Sequence, residues 1–259
     1  MASRKGILVT PQLGLMGSLL TVVICVVCAR TAAMAFNRLV DGRIDALNPR
    51  TAQREIPSGA VSPRNSLYLV IGASAVFFLG AAALGGHCLM LAPVVLALLL
   101  GYSYAKRFTW AVHFILGLCL AAAAGGAWWV LRPVVEVEPM VLMLGVLLWV
   151  SGFDILYSCQ DYDFDREHQL HSVPARFGIS QALQIAFISH VLAVVCFFGF
   201  GVVSNLPAPY FYGVLALSAV FLGQHWLMSP TNLSRVNHAF FTCNGLISLS
   251  YFLLTVSVL

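Results

Sequence analysis

The sequence predicts an all-α, polytopic membrane protein: a bundle of transmembrane helices around a central cavity open to the cytoplasm and to lipid. Three observations predict it. Of the 259 residues, 60% are hydrophobic and 9% are charged, where soluble domains carry about 25% charge. The mean hydropathy is +0.89. Apolar runs of about 20 residues recur along the chain, each long enough to cross a ~30 Å hydrocarbon core. The runs are continuous and do not alternate, which argues against a β-barrel. The net charge of +4 gives no reason to expect nucleic acid. The basic residues sit in loops, where topology and anionic lipid account for them.

Eight spans are expected, in one membrane domain covering 1–259. The first, 12–36, follows the basic "MASRKG" and runs into a polar motif with no small-residue cleavage site, so it reads as a span and not as a signal peptide. The second and third, 67–85 and 88–104, part at "GGH". The fourth, 110–131, ends at "RPVVEVEP", after which comes the fifth, 140–160. The sixth, 181–204, and the seventh, 210–228, part at "SNLPAP"; "SPTN" precedes the eighth, 238–258. Each break carries turn-forming residues. The seven cysteines mostly fall inside these runs. Cys25 and Cys28 form a C-x-x-C, but mid-membrane, with no histidine or second pair nearby, and read as small buried hydrophobes.

Lys and Arg alternate between loops. Arg38, Arg43, Arg50, Arg54 and Arg64 follow the first span, Lys106 and Arg107 the third, Arg166 and Arg176 the fifth, and Arg235 the seventh. The positive-inside rule places these loops in the cytoplasm. The N-terminus then lies outside, against the sign of Arg4 and Lys5.

The acids segregate with the same loops. Of ten Asp and Glu, only Glu136 and Glu138 lie away from the first and fifth loops. Asn37, Asp41 and Asp45 are spaced by four, which puts them on one helix face. Asp154, Asp161 and Asp165, spaced by seven and four, make a second stripe, with Tyr157 on the same side and Asp163 facing away. Like charges four apart repel, and a carboxylate in a membrane helix costs about 2.5–3.5 kcal/mol. Cations must offset that. Oxygen ligands beside an asparagine suit Mg²⁺, which takes few carboxylates and leaves room for phosphate oxygens. Arg38, Lys106 and Arg107 supply fixed positive charge for those oxygens. The combination implies a diphosphate held by Mg²⁺ at the mouth of a lipid-accessible cavity.

The stretches "NRLVDGRIDALNPRT", "YSYAKRFT" and "DILYSCQDYDFDREHQLHSVPARFG" resemble the UbiA superfamily of intramembrane prenyltransferases, whose signatures are N-x-x-x-D-x-x-x-D and D-x-x-Y-x-x-x-D-x-x-x-D. The wording around them is similar to a 4-hydroxybenzoate polyprenyltransferase-like branch linked to menaquinone synthesis by the futalosine route. Other branches more often read "GVKSTA" where this chain has His171, Ser172, Val173, Pro174 and Ala175. The family usually has nine spans, so the resemblance implies that a first helix is missing or degenerate here. It implies Mg²⁺-dependent transfer of a polyprenyl group from polyprenyl diphosphate to an aromatic acid of hydroxybenzoate or dihydroxynaphthoate type, at a bacterial inner membrane with the site facing the cytoplasm. Asp41, Asp45, Asp154, Asp161 and Asp165 are then the catalytic carboxylates. Asn37, Asp41, Asp45, Asp161 and Asp165 hold metal. Asn37, Arg38, Lys106, Arg107, Tyr157 and Arg176 bind substrate. Arg43, Arg50 and Arg54 read as topology signals, and His113, His190 and His225 as residues hydrogen-bonded between helices. Ubiquinone-route prenylation of 4-hydroxybenzoate is the runner-up. A transporter with intramembrane acids, or an inactive paralogue, stands beside the enzyme reading; acids gathered at one face and not at the midplane argue against transport.

Overall fold

The computed structural model describes residues 13–258, and these form helices joined by turns, with no strand among them. Arg4 and Lys5, on which the expected placement of the N-terminus turns, lie outside the described residues.

Helix α1 runs Gly14–Leu47, 34 residues. The expected span ended at 36; the helix continues because Leu39, Val40, Ile44 and Ala46 keep a helical pattern through the polar stripe. It stops at Asn48, which is extended (φ −89°, ψ 117°) because the next residue is Pro49. Helix α2, Pro63–Leu84, starts on Ser62, whose hydroxyl accepts the Asn65 amide at 3.2 Å, with proline at its first position. Then come α3 (Gly86–Ala105), α4 (Val112–Leu131) and α5 (Val137–Ser158). A 3₁₀ turn, Cys159–Asp161, links α5 to the short α6, Tyr162–Glu167. After α7 (Val173–Phe177) the chain forms α8 (Ile179–Val203) and α9 (Ala208–Trp226), then a π turn, His238–Cys243, and α10 (Asn244–Val258).

Among the described residues, seven stretches are long and apolar enough to cross a membrane: 14–47, 63–84, 86–105, 112–131, 137–167, 179–203 and 238–258. Eight were expected. The expected seventh is present as α9, but Tyr210, Tyr212, Gln224 and His225 dilute its hydropathy below that of the others.

The described residues group into two compact units. The first comprises the described residues up to Tyr104 together with Gly125–Val135. Here α1 packs along α2 through small side chains, with Cys25, Ala29, Ala32, Ala73, Phe77 and Ala81 buried. Cys25 is one of those core groups and is a free thiol, as its apolar setting suggests. The second unit comprises Ala105–Ala124 and the described residues from Glu136 onward. Its dominant packing joins α5 to α8, around a core that includes Ile155, Leu156, Cys159, Val173, Ala182 and Ala186.

Helix α4 approaches α5 closely at Gly117. A Cβ there would run into the Leu147 carbonyl oxygen and the Ser151 hydroxyl. Small residues at such crossings let membrane helices touch backbone to backbone. Gly117→Val is expected to destabilise the protein by about 1–3 kcal/mol, as overpacking does. A lowered thermal midpoint in detergent, followed by size-exclusion chromatography after heating, checks it; an unchanged midpoint contradicts the close approach.

Candidate functional site

The first motif occupies the last turns of α1. That is the negative end of a helix dipole, an unfavourable place for carboxylates, and the last turn contains no basic residue of its own. The compensation comes from the loop that follows. Asn48 accepts the Thr51 and Ala52 amides at 2.9 and 2.8 Å, and the Thr51 hydroxyl donates to the Asp45 carbonyl at 3.0 Å. These bonds fold 48–61 back along the helix. Ile56 comes to lie against Gly42, and Arg38 Nε meets Glu55 Oε2 at 3.4 Å. Arg54 Nη1 then donates to Asp45 Oδ1 at 2.7 Å. Arg54 is therefore more than the topology signal expected of it.

Asn37 Nδ2 donates to Asp41 Oδ2 at 2.9 Å, so the asparagine and first aspartate of the stripe meet as their spacing requires. Asp45 is buried, and its Oδ2 has no hydrogen-bond partner. A buried carboxylate oxygen without a partner is costly.

The second motif is not one regular helical face. The 3₁₀ turn at Cys159–Asp161 breaks the expected stripe, leaving Asp154 on α5, Asp161 in the turn and Asp165 on α6. Asp165 is fully buried, and Lys106 Nζ lies 2.8 Å from its Oδ1. Two backbone bonds hold that pair in place: Leu170 N–H to the Asp165 carbonyl, and His171 N–H to the Lys106 carbonyl, each 2.8 Å. Gln169, in the left-handed region at φ 55°, makes the reversal between α6 and this segment. Asp161 is also buried, whereas Asp163 and Glu167 are exposed as expected. Asp154 meets His113 Nδ1 at 2.6 Å.

Of the other expected residues, Tyr157 stacks on Phe240 with ring centroids 4.1 Å apart. Arg107 is half-buried and Arg176 exposed. His113, His190 and His225 all bond between helices as expected, the last two to each other at 2.8 Å. The sequence singled out neither Arg54 nor His113 as a site residue.

Among the described residues no group of three or more His, Cys, Asp or Glu converges on one point. A cage made by the protein alone is therefore absent from them. Mg²⁺ does not ask for one, since one or two carboxylates with water and substrate phosphate complete its octahedron. The oxygen-rich donor set and the unpartnered Asp45 Oδ2 fit that cation.

A model of the UbiA prenyltransferase family matches residues 6–246. The chain belongs to the UbiA prenyltransferase family. It is a prenyltransferase. Among its UbiA relatives, 4-hydroxybenzoate octaprenyltransferase of Aliivibrio salmonicida is 27% identical over 241 residues, 93% of this chain and 84% of the relative. The enzyme of the same name from Francisella tularensis subsp. novicida is 26% identical over 231 residues, 89% of this chain and 81% of the relative. The apo structure of a UbiA homologue from Aeropyrum pernix K1 superposes with TM-score 0.83 at 32% identity, covering 91% of this chain and 89% of that one. A UbiA homologue from Archaeoglobus fulgidus bound to DMAPP and Mg²⁺ superposes with TM-score 0.64 at 17% identity, covering 96% of this chain and 91% of that one, a likeness of fold. With seven apolar stretches of spanning length among its described residues and bacterial relatives, this UbiA protein is a multi-pass membrane protein.

Proposed function

We propose that this chain transfers a polyprenyl group from polyprenyl diphosphate to 4-hydroxybenzoate in quinone biosynthesis, with its site facing the cytoplasm. The observation that carries the diphosphate half of this reading is the buried, unpartnered Asp45 Oδ2 at the end of the N-x-x-x-D-x-x-x-D stripe. The acceptor half rests on the names of the bacterial relatives. The "HSVPARFG" wording favours a second reading, in which the acceptor is a dihydroxynaphthoate of the menaquinone route.

Asn37, Asp41, Asp45, Asp161 and Asp165 are the residues that would hold Mg²⁺. When bound, Mg²⁺ supplies charge neutralisation to the leaving diphosphate. Arg38, Lys106 and Arg107 take phosphate oxygens. The Arg38–Glu55 pair is largely solvated and so exchanges easily for a stronger anionic partner. As the C–O bond of the allylic diphosphate breaks, its electron pair leaves with diphosphate and the cationic residues stabilise it. A ring carbon ortho to the phenolic hydroxyl attacks the allylic carbon, and the ring then loses its proton. Asp154 faces the reacting groups, Tyr157 orients the acceptor through its seat on Phe240, and Arg176 pairs with the acceptor carboxylate.

The test is an assay in membranes with labelled polyprenyl diphosphate and Mg²⁺, offering 4-hydroxybenzoate and dihydroxynaphthoate in parallel. Labelled lipid from 4-hydroxybenzoate is expected. Product from dihydroxynaphthoate alone transfers the assignment to the second reading, and no labelled product from either ring overturns both. Chelation by EDTA is expected to abolish turnover and added Mg²⁺ to restore it. Ca²⁺ should restore it poorly, because its larger, looser coordination suits few-carboxylate sites less well. Undiminished turnover in EDTA contradicts the metal assignment.

A further inference from the structure

Asp154, the first carboxylate of the second motif, is held by a histidine. His113 is buried, with 3% of its surface exposed, and its two ring nitrogens have different jobs. A backbone amide can only donate, and the Val173 amide points at His113 Nε2 from 3.2 Å. Nε2 is therefore the bare, accepting nitrogen. The ring proton of the neutral imidazole then sits on Nδ1, and Nδ1 donates to Asp154 Oδ2 at 2.6 Å. Asp154 Oδ1 is left without a partner among the described residues, on a side chain that remains 23% exposed.

The frame around this dyad is stiff. Gly117, four residues beyond His113 on α4, lets Leu147 and Ser151 of α5 come close. The Ser151 hydroxyl bonds both the Leu147 carbonyl at 2.7 Å and the His113 carbonyl at 3.2 Å. Leu147, Ser151 and Asp154 share one face of α5, so the crossing that seats Ser151 also aims Asp154 at the imidazole. On the other side, Ser172 caps α7 by accepting the Ala175 amide at 3.2 Å, and Val173 and Pro174 are buried. That fixes the Val173 amide.

We propose that His113 is a positioning residue, the middle of a relay in which the Val173 amide sets its tautomer and its Nδ1–H fixes the rotamer of Asp154, presenting Oδ1 to substrate. The relay begins at the Val173 amide, so the segment His171–Ala175 reaches the reacting groups through His113. The inference rests on the prenyl-transfer reading above. Groups that orient the ligands of a metal site typically cost about 10–100-fold when removed, and a loss of that order is expected where a histidine orients a catalytic carboxylate.

The test compares His113→Leu, His113→Asn and the double variant His113→Leu/Asp154→Asn with wild type in nanodiscs. Leucine removes both bonds. Asparagine places an N–H donor close to the position of Nδ1, so it keeps the Asp154 bond and loses the Val173 bond. His113→Leu is expected to lower kcat by about 10–100-fold with the KM for polyprenyl diphosphate little changed, and His113→Asn to recover most of that loss. Adding His113→Leu to Asp154→Asn should cost nothing further, since the relay acts only through that carboxylate. Equal impairment of the leucine and asparagine variants, or wild-type kcat in His113→Leu, overturns the relay. A readout independent of turnover is the ¹⁵N shift of His113 in histidine-labelled protein. Protonated Nδ1 with bare Nε2 supports the relay, and the opposite tautomer overturns it even in a membrane that is fully active. A wild type that transfers no prenyl group while showing the Nδ1–H tautomer overturns the catalytic reading and upholds the assigned geometry.

Discussion

Asp41→Ala and Asp161→Ala are each expected to lower kcat by roughly 10³-fold, at or beyond the range seen when one strong electrostatic contact to a developing charge is lost. Neither change should prevent membrane insertion. The seven apolar stretches carry insertion, and both residues sit at the end of such a stretch. Asp45→Asn sharpens the experiment. It keeps size and leaves an oxygen able to accept the Arg54 bond, but it removes the charge from a buried group whose second oxygen has no protein partner. If Asp45 served only to anchor the folded-back loop, the amide would serve nearly as well and turnover would survive. If it is a metal ligand, turnover falls and higher Mg²⁺ restores part of it. Steady-state kinetics over a Mg²⁺ titration, with protein level measured in the membrane fraction, separates these cases. Full activity in Asp41→Ala or Asp161→Ala would remove the ground for assigning the two motifs a role in chemistry.

The parts of this picture that were legible in the sequence are the ones written in local spacing. Asn37 and Asp41 bond to each other because four residues is one helical turn, and that is visible in a string of letters. Span positions were legible for the same reason, since apolar length is a local quantity. What the string hid is of two kinds. One is a local change of geometry without a residue signature: nothing in "YSCQDYD" announces the 3₁₀ turn that separates Asp154 on α5 from Asp165 on α6. The other is pairing between residues distant in sequence. Arg54 looked like every other arginine of a positive loop, because the charge-topology rule accounts for all of them alike. Only the fold-back stitched by Asn48 and Thr51 distinguishes it. His113 was correctly placed between helices, but its partners, Asp154 and the Val173 amide, lie 41 and 60 residues away. The Asn37–Asp41 contact was thus readable, and the groups that hold Asp45 and Asp154 were not.

The Lys106–Asp165 pair gives the second large effect, and it falls on stability before it falls on rate. Asp165 is fully buried, and Lys106 is the cation beside it, at 2.8 Å, with a third of its own side chain exposed. Removing one partner of a buried pair leaves an uncompensated charge, at a cost of about 3–5 kcal/mol. Lys106→Met is therefore expected to cost about 3 kcal/mol, the lower end of that range because the ammonium is partly solvated. Unfolding followed by denaturant titration in detergent measures it. The decisive companion is Lys106→Met/Asp165→Leu. Replacing a buried ion pair by apolar groups is often neutral or stabilising, since two desolvation costs disappear together. The double variant should thus regain wild-type stability while transferring no prenyl group, because the cation and the carboxylate assigned to phosphate and metal are both gone. Such a protein, folded and inert, would show that this pair is retained for its chemistry and not for its strength. A single variant as stable as wild type would mean that Asp165 has another means of offsetting its charge. A double variant that remains active would mean that neither residue touches the diphosphate or the metal that holds it.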